Sequence, residues 1–472
     1  MKVVETQMVV VGAGPGGYTA AFYAADKGMK TALIERQDTL GGVCLNVGCI
    51  PSKALLHMAA LKEEAEKGAE FGLKLSMNGI DLDKMRQHKE KIVQKLTGGL
   101  KVLAKGRSVD VYNGHAKFLD ANNLIITDAK GEETRLTFQK ALIAAGSRPI
   151  KPSAFDFSSD RIFTSTGALT LKDIPKSLLI VGGGIIGLEL GSFYATFGSE
   201  VTVVEALDNL VSDVDRDVFR HLERKIKKMF KNIHLKTMVQ SLKANKNDVT
   251  AILKTEKGEL QEKFSRALVS IGRMPNSDAL DLDKANIAID EKGFIKVDRQ
   301  MRTSTKNIFA IGDIVGNPML AHKASREAHV AVDAAMDKKV AFENICIPNV
   351  IYTDPELAWV GLTEKIAKEK NIPYAVGTFP WAASGRALAI GKTEGVTKLL
   401  FDPKTERILG AAIVGASAGE LIAETTLAIE MGAVMEDISE TIHAHPTLSE
   451  TTMESAEDLH ALATHFLSKN RK

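Results

Sequence analysis

Two doubly wound α/β domains followed by a C-terminal α+β domain are predicted by three features of this 472-residue chain. A strand, a glycine-rich turn, a helix and a second strand occur twice in that order, with the first glycines 170 positions apart. Each copy closes on a glutamate 23 positions after its first glycine. Beyond Pro348 this pattern stops, and alternating apolar segments around a polar turn replace it. Two βαβ units in one chain call for two parallel sheets covered by helices on their faces. The chain is also longer than a single hydrophobic core supports.

The first unit opens with the apolar run Met8–Val11 and turns at Gly12-Ala13-Gly14-Pro15-Gly16-Gly17. A helical stretch to Lys27-Gly28 and a second apolar run, Thr31–Ile34, lead to Glu35. The second unit repeats this with Leu178–Val181, Gly182-Gly183-Gly184-Ile185-Ile186-Gly187, a helix to Gly198, and Val201–Val204 closing on Glu205. Proline and polar residues cluster at Ser147–Pro152, Arg273–Ser277 and Cys346–Asn349, where breaks are expected. The expected domains are residues 1–148, a second unit 149–275 inserted into the first, the return of the first at 276–345, and a C-terminal domain 346–472. In the last, Thr397–Phe401 and Ile408–Val414 flank the turn Asp402-Pro403-Lys404-Thr405, with helical segments after them.

Glycines can make a tight turn without function. Here each cluster follows a strand, opens a helix and has an acid at the right distance, which together mark a dinucleotide-binding (Rossmann-like) site. Glycine lets the backbone approach a pyrophosphate, the helix N-terminus offers free N–H groups, and the carboxylate accepts from ribose hydroxyls. Glu205 would repel a 2′-phosphate, and no lysine or arginine lies between Val203 and Asp208 to receive one. A nicotinamide cofactor at the second site is therefore expected to be NAD rather than NADP.

Cys44 and Cys49 follow the first unit within Gly41-Gly42-Val43-Cys44-Leu45-Asn46-Val47-Gly48-Cys49-Ile50-Pro51-Ser52-Lys53. On an ideal helix this spacing separates the Cα atoms by roughly 8–9 Å, from about 1.5 Å rise and 100° per residue. A disulfide needs about 4.4–6.8 Å, so a bridging pair requires a deformed helix, with Gly48 and Pro51 nearby to permit it. The residues fit a redox pair, two buried free thiols or half of a metal site. No second metal-type cluster is visible, so no metal is expected, and Cys346 reads as a small core residue.

The bulk numbers exclude other classes. With 61 basic against 59 acidic side chains, 44% hydrophobic and 25% charged residues, nothing calls for nucleic acid. The basic run Arg224, Lys225, Lys227, Lys228 and Lys231 reads as a solvated helix face, with an anion-binding patch as the alternative. Three cysteines form no secreted disulfide framework. No signal peptide precedes the first strand, and no apolar run suggests membrane insertion, so a cytoplasmic location is expected.

The cysteine segment, the two glycine clusters and His443-Ala444-His445-Pro446-Thr447 together resemble the pyridine nucleotide-disulfide oxidoreductase family over nearly the whole chain. Within it the resemblance is closest to the NAD-linked members that oxidise dihydrolipoyl groups. It implies FAD at the first site, held by Gly12, Gly14, Gly17 and Glu35. The Phe309–Asp313 segment brings Asp313 to the ribityl and phosphate region, and Ala116 and Ala321 make lesser contacts. It implies NAD at Gly182, Gly184, Gly187 and Glu205, passing Ser270, Gly272 and Arg273 toward the flavin. Lys53 and Glu189 would pair beside the flavin ring, although on their own they read as surface charges. One departure is Ala145, in Ala144-Ala145-Gly146, where relatives often have threonine.

The resemblance also divides the chemistry. Cys44 would exchange with the dithiol and Cys49 would face the flavin. The attacking species in such exchange is a thiolate, so a base is needed, and His445 suits neutral pH. Glu450 would orient His445, but Thr447-Leu448-Ser449-Glu450 equally fits a capping box with Thr447 as N-cap. His443 is a competing histidine that only the family pattern sets aside. The implied activity is oxidation of protein-bound dihydrolipoyl groups through the Cys44–Cys49 disulfide and FAD to NAD, in a homodimer sharing its sites between chains. Expected partners are the lipoyl-bearing components of 2-oxoacid dehydrogenase or glycine-cleavage complexes. The alternatives are an NAD(P)H-dependent disulfide reductase of the glutathione reductase type and a nucleotide-sensing binding protein without catalysis.

Overall fold

The computed structural model describes residues 2–468; Met1 and residues 469–472, at the ends of the first and last expected domains, lie outside it. The first unit is β1 (Lys2–Val11), α1 (Pro15–Asp26) and β2 (Thr31–Glu35). It is followed by α2 (Gly42–Val47), α3 (Cys49–Lys67), α4 (Leu82–Gly106), β3 (Asp110–Asn113), β4 (His115–Phe118), β5 (Asn123–Thr127) and β6 (Glu133–Ile143). The sheet order is β3-β2-β1-β6-β5-β4, with β1 parallel to both β2 and β6. Because β1 is central and both faces are covered, all of Met8–Val11 is buried. Met8 and Val10 pack with the alanines of α1, whereas Val9 and Val11 pack with Phe118, Leu124 and Ile126 of the hairpin β4–β5.

The chain then crosses on β7 (Ser147–Pro149) into β8 (Ile162–Thr164), α5 (Ser165–Ala168), β9 (Ser177–Val181), α6 (Ile185–Thr196), β10 (Glu200–Val204), α7 (Arg216–Met229) and β11 (Asn232–His234). A meander, β12 (Met238–Ala244), β13 (Val249–Thr255) and β14 (Gly258–Phe264), precedes β15 (Arg266–Val269). The parallel order β11-β10-β9-β15-β8 repeats the first sheet's logic. Leu178 and Ile180 face the helices, and Leu179 and Val181 face Val249, Ala251 and Leu253 of the meander. The return strand β16 (Arg273–Pro275) pairs antiparallel with β7, so both crossings form one ribbon. Back in the first unit, β17 (Ile308–Ala310) lies parallel to β6, and α8 (Ala321–Ala335) packs on α1 through alanines of both helices.

The remainder is β18 (Asn349–Ile351), β19 (Glu356–Gly361), α9 (Glu364–Lys370), β20 (Ala375–Pro380), α10 (Gly385–Ala389), β21 (Val396–Phe401), β22 (Ile408–Gly415), α11 (Ala418–Met431), α12 (Met435–Ser439) and α13 (Glu450–Glu457). The antiparallel order β18-β19-β22-β21-β20 and its covering helices give the expected α+β domain. The Asp402 turn closes as the sequence indicated, with Asp402 Oδ1 accepting from the Lys404 and Thr405 amides at 2.9 and 2.8 Å. Trp381 is fully buried and donates Nε1–H to Thr397 Oγ1 at 3.1 Å.

Three readings are corrected. Lys225 does not share the solvated face of its neighbours: its ammonium reaches Glu63 and Asp354, at 2.5 and 2.6 Å, and ties α7 to α3 and to the C-terminal domain. Cys346 is half-buried at the edge of the C-terminal core rather than within it, and burial together with the Glu430 carboxylate raises its thiol to about 11. Residues 42–71 are long and apolar enough by composition to cross a membrane, unlike any stretch recognised in the sequence. They are α2 and α3, broken at Gly48 and ending in a 3-10 turn at Gly68–Phe71, with α2 and α3 packed against α4 and α3 also against α6.

Candidate active site

A cavity of about 2000 Å³ runs from the first glycine turn past the cysteines to the second. Drug-sized ligands occupy about 300–1,000 Å³, so this space has room for two long ligands. The glycines at its ends fit a pyrophosphate. Gly12 adopts φ +99°, and a Cβ on Gly17 would lie 1.8 Å from the Gly12 carbonyl oxygen. At Gly187 a Cβ would lie 2.2 Å from the Gly182 oxygen. These positions let α1 and α6 sit against their strands. By contrast, a Cβ on Gly184 meets nothing within 4 Å, and one on Gly14 only Gly42 at 4.0 Å. Side chains there would take up room that a phosphate needs, and neither helix start is capped by a side chain.

The two acids are held alike. Glu35 accepts from the Ala13 and Gln37 amides at 2.8 and 3.0 Å, and Glu205 accepts from the Gly183 and Leu207 amides at 2.7 and 2.9 Å. Every oxygen keeps a lone pair for a ribose hydroxyl. Ala116, on β4, and Ala321, at the start of α8, both line the cavity, as do Ser270 and Gly272. Ser270 Oγ donates to the Val181 and Gly182 carbonyls at 3.1 and 3.2 Å, fastening the second turn.

Asp313 accepts from Ser147 Oγ at 2.5 Å, and Ser147 Oγ in turn accepts from Arg273 Nε at 2.7 Å. Arg273 lies 3.8 Å from Asp313 and lines the cavity beside Ser270 and Gly272. Beneath Asp313, the Gly312 amide donates to Glu327 at 2.7 Å, and Lys323 pairs with Glu327 at 2.8 Å. Ser147 and Glu327 are not recognisable from the sequence, because Ser147 meets Asp313, and Glu327 the Gly312 amide, only once the chain is folded.

Lys53 and Glu189 are not surface charges. Lys53 Nζ lies 2.8 Å from Glu189, which is 3% exposed and also accepts from the Tyr352 amide at 3.0 Å. The same ammonium sits 4.5 Å from the centre of the Tyr352 ring.

The cysteine helix is deformed at Gly48. There φ is −143° and ψ −117°, ending α2 at Val47 and starting α3 at Cys49. A Cβ on Gly48 would lie 2.7 Å from the Val43 oxygen. Both cysteines are thiols here. A hydrogen bond from the Cys44 thiol, assisted by Lys53 and opposed by burial, lowers Cys49 to about 7, while the same bond and burial push Cys44 upward. The N-terminus of α3 also favours a thiolate at Cys49. The pair is thus polarised, with Cys49 the better leaving group.

His445 Nδ1 lies 2.8 Å from Glu450 Oε1, and the other oxygen of Glu450 accepts from the Thr447 amide at 2.7 Å. One oxygen of Glu450 thus holds the His445 ring and the other the Thr447 amide. The expected box is only half formed, because α13 begins at Glu450 itself and the Thr447 hydroxyl turns to Ser449 Oγ. Nε2 of His445 has no partner among the described residues, and the side chain is 75% exposed. His443 differs: it is 5% exposed, with Nδ1 2.7 Å from the Thr441 carbonyl and Nε2 2.7 Å from Glu424. Both of its ring nitrogens are thus engaged within the protein, and neither is open to a substrate. Within one chain, His445 is not part of the wall of the cavity that holds the cysteines.

The family model described as Pyridine nucleotide-disulphide oxidoreductase matches residues 6–328, and that of the family's dimerisation domain matches residues 347–456. A dihydrolipoyl dehydrogenase of Vibrio parahaemolyticus is 50% identical, covering 97% of this chain and 96% of the relative. One of Bacillus subtilis is 43% identical over 96% of each. Among solved structures, the HOCl-induced flavoprotein disulfide reductase RclA of Escherichia coli is 29% identical, with a TM-score of 0.85 over 97% of this chain and 100% of that one. LpdA of Mycobacterium tuberculosis shares the fold, with a TM-score of 0.90 at 24% identity over 96% and 99%.

Proposed function

Since this chain belongs to the pyridine nucleotide-disulphide oxidoreductase family, we propose that it carries dihydrolipoyl dehydrogenase activity, oxidising dihydrolipoyl groups with FAD as its bound cofactor and NAD as acceptor. The observation that carries this reading is the polarised thiol pair, Cys49 lowered to about 7 and Cys44 raised, on the wall of a cavity flanked by two dinucleotide-type turns.

In the oxidised pair, a dihydrolipoyl thiol gives its proton to His445 Nε2, and its thiolate attacks Cys44 Sγ. The Cys44–Cys49 bond breaks and Cys49 leaves as the thiolate, since the lower-pKa sulfur leaves faster. The second dihydrolipoyl thiol then attacks the substrate sulfur bound to Cys44, releasing the cyclic lipoyl disulfide and Cys44 as a thiol. FAD, when bound, supplies the two-electron link from the reduced pair to NAD. Glu450 holds Nδ1 of His445 so that Nε2 faces the substrate. Glu205 sets the preference for NAD, its carboxylate opposing a 2′-phosphate.

The protein is a homodimer through its dimerisation domain. We assign His445 and Glu450 to the site of the opposite protomer, because in their own chain they stand outside the cysteine cavity. The lipoyl-bearing components of 2-oxoacid dehydrogenase or glycine-cleavage complexes are the partners, and the cytoplasm, where free thiols persist, is the compartment.

Anaerobic titration with dihydrolipoamide and then NAD, followed by visible spectroscopy, tests the reading. One equivalent of dithiol is expected to change the flavin spectrum and NAD to restore it. A flavin that NADH reduces but dihydrolipoamide leaves untouched would overturn the substrate assignment.

A further inference from the structure

His443 stands on an exposed segment: Thr441, Ile442, Ala444, His445 and Pro446 all face solvent. Its own side chain turns inward and is 5% exposed. Both ring nitrogens are engaged, at 2.7 Å each, by the Thr441 carbonyl within the segment and by Glu424 on α11. The Thr441 hydroxyl donates to the Asp437 carbonyl at 2.6 Å, so this end of the segment is also tied to α12. At the other end Glu450 grips His445 Nδ1 and the Thr447 amide. His445 thus hangs between two carboxylates on two helices, Glu450 on α13 and Glu424 on α11, and His443 is its link to the second. α11 itself borders the flavin cavity through Ile422, Ala423 and Thr426.

We propose that His443 and Glu424 are a positioning pair for the base: they fix the segment so that His445 Nε2 meets the dithiol at the angle proton transfer needs. This rests on the reading of His445 as the base. The pair touches neither substrate nor cofactor, so it acts only through His445. Loss of this anchor leaves the base held from one side. Displacements of about 1 Å in reacting groups cost up to roughly a hundred-fold in rate.

The test is made on FAD-loaded dimers. His443→Gln and Glu424→Gln are each expected to lower kcat with dihydrolipoamide by about ten- to a hundred-fold. The double variant should fall no further, because the two residues act as one unit. Stopped-flow reduction of the flavin by NADH, which needs no base for a dithiol, is expected to stay at the wild-type rate in all three. Dithiol turnover within about two-fold of wild type, or an equal fall in the NADH step, overturns the proposal.

A hybrid dimer of a Cys44→Ser chain and a His445→Gln chain separates the pair from general stability. One of its sites joins intact cysteines to an intact His445. Adding His443→Gln to the chain that keeps His445 should abolish most of the remaining activity, and adding it to the His445→Gln chain should change nothing. Equal loss from either placement overturns positioning. A parent hybrid that is folded, flavin-loaded and dead overturns the shared site instead, and the comparison of dithiol and NADH steps in the homodimers then decides on His443 alone.

Discussion

Cys44 within α2 and Cys49 at the start of α3 are identical side chains, yet the thiol hydrogen bond runs from Cys44 to Cys49, and Lys53 stands one turn along α3 from Cys49. In the reduced protein, alkylation of Cys49, followed by mass spectrometry of the labelled peptide, is expected to titrate near 7, where the structure sets it. Cys44→Ala removes the largest stabilising contact and moves that midpoint upward. An unchanged midpoint would show that the hydrogen bond is not what lowers it. Glu205 carries a second prediction: Glu205→Ala with Leu207→Arg removes the charge opposing a 2′-phosphate and supplies a donor, so kcat/KM should shift toward NADP. If the wild-type protein already uses both cofactors equally well, the carboxylate does not select. Residues whose placement depends on their own neighbours in sequence were legible: the cysteines around Gly48, the glycines of each turn, Glu35 and Glu205. Ser147, Glu327 and Tyr352 were not, because their partners lie 166, 15 and 163 positions away and only the fold brings them together.

Among the elements, the βαβ units were legible because each carries its own punctuation, apolar strand, glycine turn and acid. The ribbon β7–β16 carries none. Its strands are three residues each and are defined by pairing across more than a hundred positions, so they read only as proline-marked boundaries. The start of α13 was misread for a related reason. Thr447 to Glu450 satisfies the capping pattern, but Glu450 is also claimed by His445, and the helix starts later. The second turn offers a clean test of an element acting alone. Gly187→Ala would place a methyl 2.2 Å from the Gly182 oxygen and 2.9 Å from Ser270 Oγ. Backbone must shift to admit it, so KM for NAD is expected to rise at least about ten-fold. The first turn is untouched, so FAD content should stay at one per chain. Loss of FAD from the purified variant would mean that the two sites do not fold independently.

Across the whole molecule, α7 fastens the second α/β unit to the C-terminal domain at both of its ends. Lys225 joins Glu63 and Asp354 toward one end. Toward the other, Lys398 of β21, 1% exposed, pairs with Asp215 at 3.2 Å, Asp217 at 2.9 Å and Glu364. Asp215, Asp217 and Glu364 alone have the spacing of a metal site, but the ammonium stands among them and serves as their counter-ion. None of this was legible, since a lysine at the middle of a strand reads as an exposed residue until its partners from α7 and α9 are in place. Removing one member of a buried cluster costs about 3–5 kcal/mol, because the remaining charges lose their compensation. Lys398→Met, which keeps the volume, is therefore expected to lower the melting temperature at neutral pH, with Asp217, half exposed, softening the loss. The pH dependence has a definite sign. Burial opposes ionisation of Glu364, but hydrogen bonds from Lys398, Tyr374 and Lys368 overcome it and lower the carboxyl from 4.5 to about 2. Its stabilising contribution is thus complete above 4.5 and disappears as the pH falls toward 2. Melting curves at fixed protein and FAD concentration should show wild type and Lys398→Met far apart at pH 7 and converging through that acidic window. A gap that persists unchanged below pH 3 would mean that packing around Lys398, rather than its charge, holds the second unit to the C-terminal domain.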